Sequence, residues 1–110
     1  MKTESKIQQE IVIWYNNNYC LKNHSPQHTI FSVPNESKSK KETLQKMAIG
    51  MRAGVSDLII LQPNKTIFVE VKTEIGKQSP KQKEFENIVK NLGFEYYLVR
   101  SLEEFKKIFI

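Results

Sequence analysis

The sequence is poor in several residue types, and each scarcity excludes a class of protein or a kind of site. Among its 110 residues are one cysteine, four glycines, four prolines and one tryptophan. Cys20 has no partner for an internal disulfide, so a reducing, cytoplasmic location is expected. Residues 1–10 lack the apolar core of a signal peptide, and no apolar run is long enough to span a bilayer. These absences predict a soluble protein that does not act in a membrane.

Two other absences exclude specific kinds of chemistry. The sequence has no glycine-rich loop of the kind that cradles phosphates, so no nucleotide cofactor is expected. Serine and cysteine nucleophiles have no recognisable partner set. Cys20, His24 and His28 recur at four-residue intervals, but Pro26 would break a helix that aligned them, and no fourth ligand is near. A zinc site is therefore disfavoured.

The charge balance is basic. Seventeen lysines and arginines face twelve aspartates and glutamates, which gives a formal net charge of +5 and an isoelectric point near 9.3. This excess favours a polyanionic partner such as a nucleic acid. The length suits a single domain, residues 1–110, around one core.

Apolar spacing and turn residues predict a small α/β domain. The predicted helices begin at Thr3, after a basic loop at 37–41, at Ser79 and at Ser101. The first is expected to fade at the asparagine run 16–18, and the third to bury Phe85, Ile88, Val89 and Leu92. The predicted strands are Thr29–Val33, Asp57–Leu61, Thr66–Lys72 and Phe94–Val99. The order α-β-α-β-β-α-β-α implies a mixed sheet flanked by helices.

The segment from Asp57 to Lys72 carries the most information. Both arms of this predicted hairpin are apolar, which favours a central position in a sheet that is covered on both faces. A four-residue loop at 62–65 would place Asp57 opposite Glu70, with Cβ atoms roughly 4.5 to 5.5 Å apart. Lys72 would project from the same face, and Val71 from the other, leaving its carbonyl available.

Two carboxylates this close repel each other unless a cation lies between them. The oxygen ligands would be Asp57, Glu70 and the Val71 carbonyl, completed by water and a phosphate oxygen. Such an all-oxygen set suits Mg²⁺ or Mn²⁺ and not zinc. Such a metal would lower the pKa of a bound water, and Lys72 could hold the attacking hydroxide or neutralise the phosphate. The ordinary alternative is an exposed Glu70–Lys72 pair beside a strand end.

Several segments together resemble one known family. They are Gly54-Val55-Ser56-Asp57-Leu58, Phe68-Val69-Glu70-Val71-Lys72, Gly76-Lys77-Gln78-Ser79-Pro80-Lys81-Gln82, Leu92-Gly93-Phe94 and Val99-Arg100-Ser101. In this order they resemble the VRR-NUC family of the PD-(D/E)XK nuclease superfamily, over nearly the whole chain. The resemblance implies a restriction-endonuclease-like core, Mg²⁺-dependent phosphodiester cleavage, and Asp57, Glu70 and Lys72 as the catalytic set. One departure is Ser56, where the superfamily has proline.

The resemblance also implies supporting site residues. Gln82 matches a glutamine that reaches into the site, although as the third residue of a capping box it could instead bond back to Ser79. An acidic residue of the first helix often completes the metal site. Helical periodicity cannot choose between Glu4 and Glu10, and the family pattern favours Glu4.

Basic residues bracket the predicted site in sequence. Those expected to contact phosphates are Lys38, Lys40, Lys41, Arg52, Lys77 and Lys81, with Lys83 next to them. For any single lysine, a solvated surface position is the simpler account.

The sequence therefore predicts a Mg²⁺-dependent DNA endonuclease. The family resemblance further implies a homodimer resembling Holliday junction resolvases, and hence branched DNA such as four-way junctions as the substrate. The alternative is a non-catalytic DNA-binding module of a repair or replication complex. A pure binder gains nothing by holding two carboxylates against DNA, which favours the enzyme. An RNA substrate is not discriminated.

Overall fold

The computed structural model describes residues 1–34 and 38–110 and has the predicted order of elements. The helices are α1 (Glu4–Tyr15), α2 (Lys40–Ala48), α3 (Pro80–Asn91) and α4 (Leu102–Lys106). The strands are β1 (Thr29–Ser32), β2 (Leu58–Gln62), β3 (Lys65–Val71) and β4 (Glu95–Val99). A π-helical turn, Asn16–Cys20, follows α1, and a 3-10 turn, Lys107–Phe109, follows α4. Among the described residues, no helix is both long and apolar enough to cross a membrane.

The four strands form one mixed sheet in the order β1-β2-β3-β4. β2 is antiparallel to both β1 and β3, and β4 runs parallel to β3. Gln62 pairs with Lys65, so the hairpin turn is the two residues Pro63 and Asn64, not the predicted four. The register is unchanged, because Leu61 still pairs with Thr66. The hairpin lies at the centre of the sheet.

The two faces of the sheet are covered unequally. One face carries Leu58, Ile60, Ile67, Val69 and Val71, and it packs with α1 and α4 into the main core. On the other face, α3 packs Phe85 against Phe68 of β3 and Tyr96 of β4. Phe31 on β1 stays 44% exposed. The expectation of a sheet covered on both faces therefore holds for the β3–β4 half only.

The first helix ends where the asparagine run begins, with Asn16 as its C-terminal cap, as the sequence predicts. The Asn18 side chain donates a 2.8 Å hydrogen bond to the Trp14 carbonyl and so supports the helical backbone that passes into the π-helical turn. That turn stacks Tyr19 on Tyr15, with ring centroids 4.8 Å apart, and buries Cys20. What the sequence did not predict is that the helical backbone continues as a π-helical turn, in which aromatic packing stabilises the chain.

The second helix begins earlier than predicted. The Ser39 side chain accepts from the Glu42 backbone N–H and caps the helix, so Lys40 and Lys41 lie in its first turn and not in a loop. Residue 37 of the predicted basic loop lies outside the described residues. α2 contributes no buried residue to the core. Ile88 and Leu92 were also misassigned: Ile88 is 39% exposed, and Leu92, the C-terminal cap of α3, is 68% exposed.

Candidate active site

The ends of β2 and β3 bring Asp57 and Glu70 together. Leu58 pairs with Val69, and one further step of this register places Asp57 opposite Glu70. Asp57 Oδ2 accepts a 2.7 Å hydrogen bond from the Val71 backbone N–H, which fixes the aspartate at the mouth of the hairpin. The Val71 side chain is fully buried in the main core. The carboxylates thus meet in the arrangement that the hairpin register predicts.

Glu70 is buried at a cost in electrostatic free energy. Its side chain is 1% exposed, and its Oε1 atom accepts no hydrogen bond. The pKa of Glu70 is raised to about 8. The largest cause is burial, followed by the negative charge of Asp57 and by a hydrogen bond to Asp57 that Glu70 can donate only when it is protonated. Lys72 opposes this rise. A buried carboxylate with an unpartnered oxygen is a position where a cation would be stabilised.

Lys72 and Gln82 contact the same carboxylate oxygen. Lys72 Nζ lies 3.8 Å from Glu70 Oε2, and Gln82 Nε2 donates to that oxygen at 3.1 Å. Gln82 Oε1 also accepts from the Ser79 backbone N–H at 2.8 Å, and Ser79 Oγ completes the capping box. The two interpretations of Gln82 are therefore both correct in one conformation, since its amide oxygen caps α3 while its amide nitrogen reaches the site.

The structure separates the two acidic candidates on α1. After burial and Asp57, the charge of Glu4 also raises the pKa of Glu70, so the start of α1 lies near the site. Glu10 instead pairs with Lys2 at 2.8 Å. Gln8 lines the same groove as Asp57 and Gln82. Of the two acids, Glu4 is the one placed to influence the site.

Gly54 holds α3 against the loop that leads to Asp57, a role that sequence reasoning missed. Its φ of 85° is in the left-handed region, and a Cβ there would lie 2.3 Å from the Lys81 carbonyl oxygen and 2.9 Å from the Gln82 nitrogen. Only glycine allows this approach. Gly54 was visible in the sequence as part of the family resemblance, but nothing there reveals its contact with α3.

Two more residues near the site were not predicted. Arg100 Nη1 donates to the carbonyls of Thr73 and Gly76 at 2.7 Å each, which ties down the loop that follows Lys72. The Tyr96 hydroxyl accepts from Gln78 at 3.2 Å. Burial, and then the charge of Glu70, raise the pKa of Tyr96. Both residues are distant in sequence from the hairpin, so periodicity carries no signal for them.

The donor set fits a hard divalent cation. Asp57, Glu70 with its unpartnered Oε1, and the neighbouring Val71 backbone are oxygen donors that suit Mg²⁺ or Mn²⁺ with water and phosphate completing the shell. Within residues 1–34 and 38–110, no group of three or more His, Cys, Asp or Glu side chains is arranged to hold a metal. The Cys20, His24 and His28 triad therefore gathers no zinc site there.

The predicted phosphate-contacting residues lie on three segments. Lys38, Lys40 and Lys41 lie at the start of α2, Lys77 precedes α3, and Lys81 and Lys83 are in its first turns. Arg52 lies in the loop before β2 and lines a groove next to the site. Lys46 of α2 lines that groove too, although sequence reasoning did not select it.

Comparison with known proteins agrees with this geometry. The family profile described as "VRR-NUC domain" matches residues 2–103. A solved structure described as "VRR_NUC domain protein" matches with a TM-score of 0.78 at 18% sequence identity, covering 99% of this chain and 86% of that one. A search of curated proteins returns no match. The chain that carries the Asp57–Glu70–Lys72 cluster therefore belongs to the VRR-NUC family, a family of nuclease domains.

Proposed function

We propose that this protein is a metal-dependent endonuclease that hydrolyses phosphodiester bonds in DNA. The observation that carries the proposal is the half-buried Asp57 beside the buried Glu70, whose Oε1 accepts no hydrogen bond when Glu70 is ionised. A buried, unpaired carboxylate oxygen costs stability, and this cost is difficult to explain unless the site is built for a cation.

Asp57, Glu70 and the Val71 carbonyl would hold the metal, with Mg²⁺ as the natural ion and Mn²⁺ as a substitute. When bound, the metal would lower the pKa of a coordinated water and offset phosphate charge. The Lys72 ammonium lies beside Glu70 and is placed to orient the nucleophile or neutralise the phosphate. Gln82 fixes the Glu70 carboxylate from α3. Glu4 can assist from the start of α1.

The substrate class follows from charge. The net charge of +5 suits a polyanion, and Arg52 and Lys81 lie on the loop and the helix turn that Gly54 brings together beside Asp57. Lys38, Lys40, Lys41 and Lys77, near the starts of α2 and α3, are further candidates for phosphate contacts. These residues would neutralise phosphates without reading sequence.

We further propose a homodimer that cuts branched DNA, preferentially four-way junctions. A domain of 110 residues offers little surface for DNA, and two-fold pairing doubles the phosphate contacts while fixing the separation of two metal sites. A four-way junction has matching symmetry. Duplex specificity would require base-reading elements, for which no candidate was found in the loops.

The decisive experiment compares labelled duplex, flap, nicked and four-way DNA, with Mg²⁺, with Mn²⁺ and with a chelator. We expect metal-dependent cleavage that is fastest on the four-way substrate. For Glu4→Gln, the matched control is Glu10→Gln, because Glu10 is the acidic residue of α1 that pairs with Lys2. Binding without cleavage in every metal would support the alternative of a non-catalytic module. Light scattering that shows a monomer, with equal cutting of duplex and junction, would overturn the junction proposal.

A further inference from the structure

A second groove continues from the groove that contains Asp57. The two grooves share three lining residues, Val33, Pro34 and Val55. The second groove runs to the C-terminal end of α2, where Ile49 and Lys46 line it. The two grooves are therefore neighbours on the surface of the protein.

Ile49 is held in solvent by a rigid helix end. Its side chain is 87% exposed. Gly50, at a φ of 112°, donates from its N–H to the Met47 carbonyl at 3.1 Å, and the Met51 N–H donates to the Lys46 carbonyl at 2.8 Å. This hydrogen-bond pair is the Schellman motif, which fixes a helix terminus. An isoleucine presented in this way at the edge of a groove is available to an apolar ligand surface.

Two cations flank this apolar tip. Arg52 and Lys46 line the groove with Ile49. Arg52 pairs with Glu84 at 3.7 Å, and Lys46 pairs with Glu42 at 2.7 Å, each in a partly exposed ion pair that a phosphate could replace. The arrangement matches a ligand with flat apolar faces and a negatively charged backbone. A second copy of this basic chain would bring like charges together here, which opposes self-association through this groove.

We propose that Ile49 is a wedge that contacts an unstacked base at the branch point of a DNA substrate while Lys46 and Arg52 hold the flanking phosphates. This inference rests on the proposed function and names the part of the substrate that the second groove takes. Apolar side chains that insert between bases favour DNA whose stacking is already broken. Ile49 would thus favour branched over continuous duplex DNA.

The test compares Ile49→Ala with Leu92→Ala. Leu92 is also an exposed residue at a helix C-cap followed by a glycine with positive φ, but it lies on α3. Binding to a four-way junction and to a duplex of equal length is measured by fluorescence anisotropy in chelator. We expect Ile49→Ala to weaken junction binding about fivefold or more and duplex binding little. Leu92→Ala should change neither, and Ile49→Met should restore junction binding.

A second readout reports the contact directly. With 2-aminopurine at the branch point, the wild-type protein and Leu92→Ala should change its fluorescence, and Ile49→Ala should not. Equal binding by Ile49→Ala and the wild type, or equal loss on duplex and junction, would overturn the proposal. So would dissociation of a dimer by Ile49→Ala in light scattering, because Ile49 would then be a subunit contact. Neither readout needs cleavage, so a protein that never cuts DNA would refute the nuclease proposal alone.

Discussion

The centre around Glu70 and the helix α2 flank connected grooves but are built in opposite ways. Glu70 is buried and contacts side chains from β3 and α3. α2 contributes no buried residue, and Leu44 on its apolar face is 62% exposed. The centre is held in one geometry at a cost in stability, whereas α2 leaves most of its side chains exposed to solvent. This difference separates the part that would perform chemistry from the part that would select DNA.

The largest expected effect is on the centre. Asp57→Ala or Glu70→Ala should lower the cleavage rate in Mg²⁺ by about 10³-fold or more, because each would remove one of the proposed metal ligands. DNA binding should persist or tighten as negative charge is lost. Single-turnover cleavage and anisotropy measure the two effects separately. Full activity in both variants would refute the site assignment.

The stability of the metal-free protein should fall as pH rises. The pKa of Glu70 is about 8 in the folded chain against an ordinary 4.5, so the folded state binds the proton more tightly than the unfolded state does. The resulting stabilisation is complete below 4.5 and is lost as pH rises through about 8. Glu70→Gln should remove this pH dependence. For the wild type, the free energy of unfolding should be lower by a few kcal/mol at about pH 9 than at acidic pH. Chemical denaturation across pH, in chelator, measures it. Parallel curves for both proteins would contradict the prediction.

The glycine at the base of α3 offers a matched comparison. Gly54→Ala should destabilise the fold by about 2–3 kcal/mol and slow cleavage, because its Cβ would push back the turn that carries Gln82. Gly50→Ala, next to α2, also has a positive φ but nothing within 4 Å of its Cβ, so only backbone strain of about 1 kcal/mol is expected. Urea unfolding and cleavage rates test both. Equal effects would show that the contact with Lys81 is unimportant.

The two roles of Gln82 can be separated. Ser79→Ala should cost about 1 kcal/mol through the lost cap while the amide stays beside Glu70. Gln82→Ala should cost a similar amount and also slow cleavage about tenfold, because Glu70 loses a hydrogen bond. The melting temperatures of both variants measure the loss of the cap, and their single-turnover cleavage rates measure the loss of the contact with Glu70. An equal loss of rate in the two would mean that only the cap matters.

The smallest effect should come from α2. Leu44→Ala should change the free energy of unfolding by less than about 0.5 kcal/mol, since the side chain is mostly exposed. Leu58→Ala, the same substitution at a fully buried strand position, should cost about 2–5 kcal/mol. Denaturant titration compares them. A large loss for Leu44→Ala would show that α2 packs against something in solution.

Much of the fold was predictable because the relevant interactions are local. The caps Thr3, Ser79 and Ser101 all accept the expected backbone hydrogen bonds. The predicted hairpin register is correct although the turn is two residues shorter than predicted. Gln62 and Lys65 pair with each other instead of lying in the loop, and this extends the hairpin without changing the pairing of Leu61 with Thr66. Errors arose where packing between elements decides, as on α3, where Val89 is the one buried member of the predicted apolar stripe.

The sequence alone determined which charges share a strand face, since alternation along β3 places Glu70 and Lys72 together and turns Val71 away. Tertiary structure alone decided which distant groups complete the centre. Gln82 reaches Glu70 because α3 packs over β3, Gly54 lets that helix approach, and Arg100 fixes the loop after Lys72. The physical reason is range: strand alternation acts between neighbouring residues, whereas burial and close approach depend on how whole elements pack.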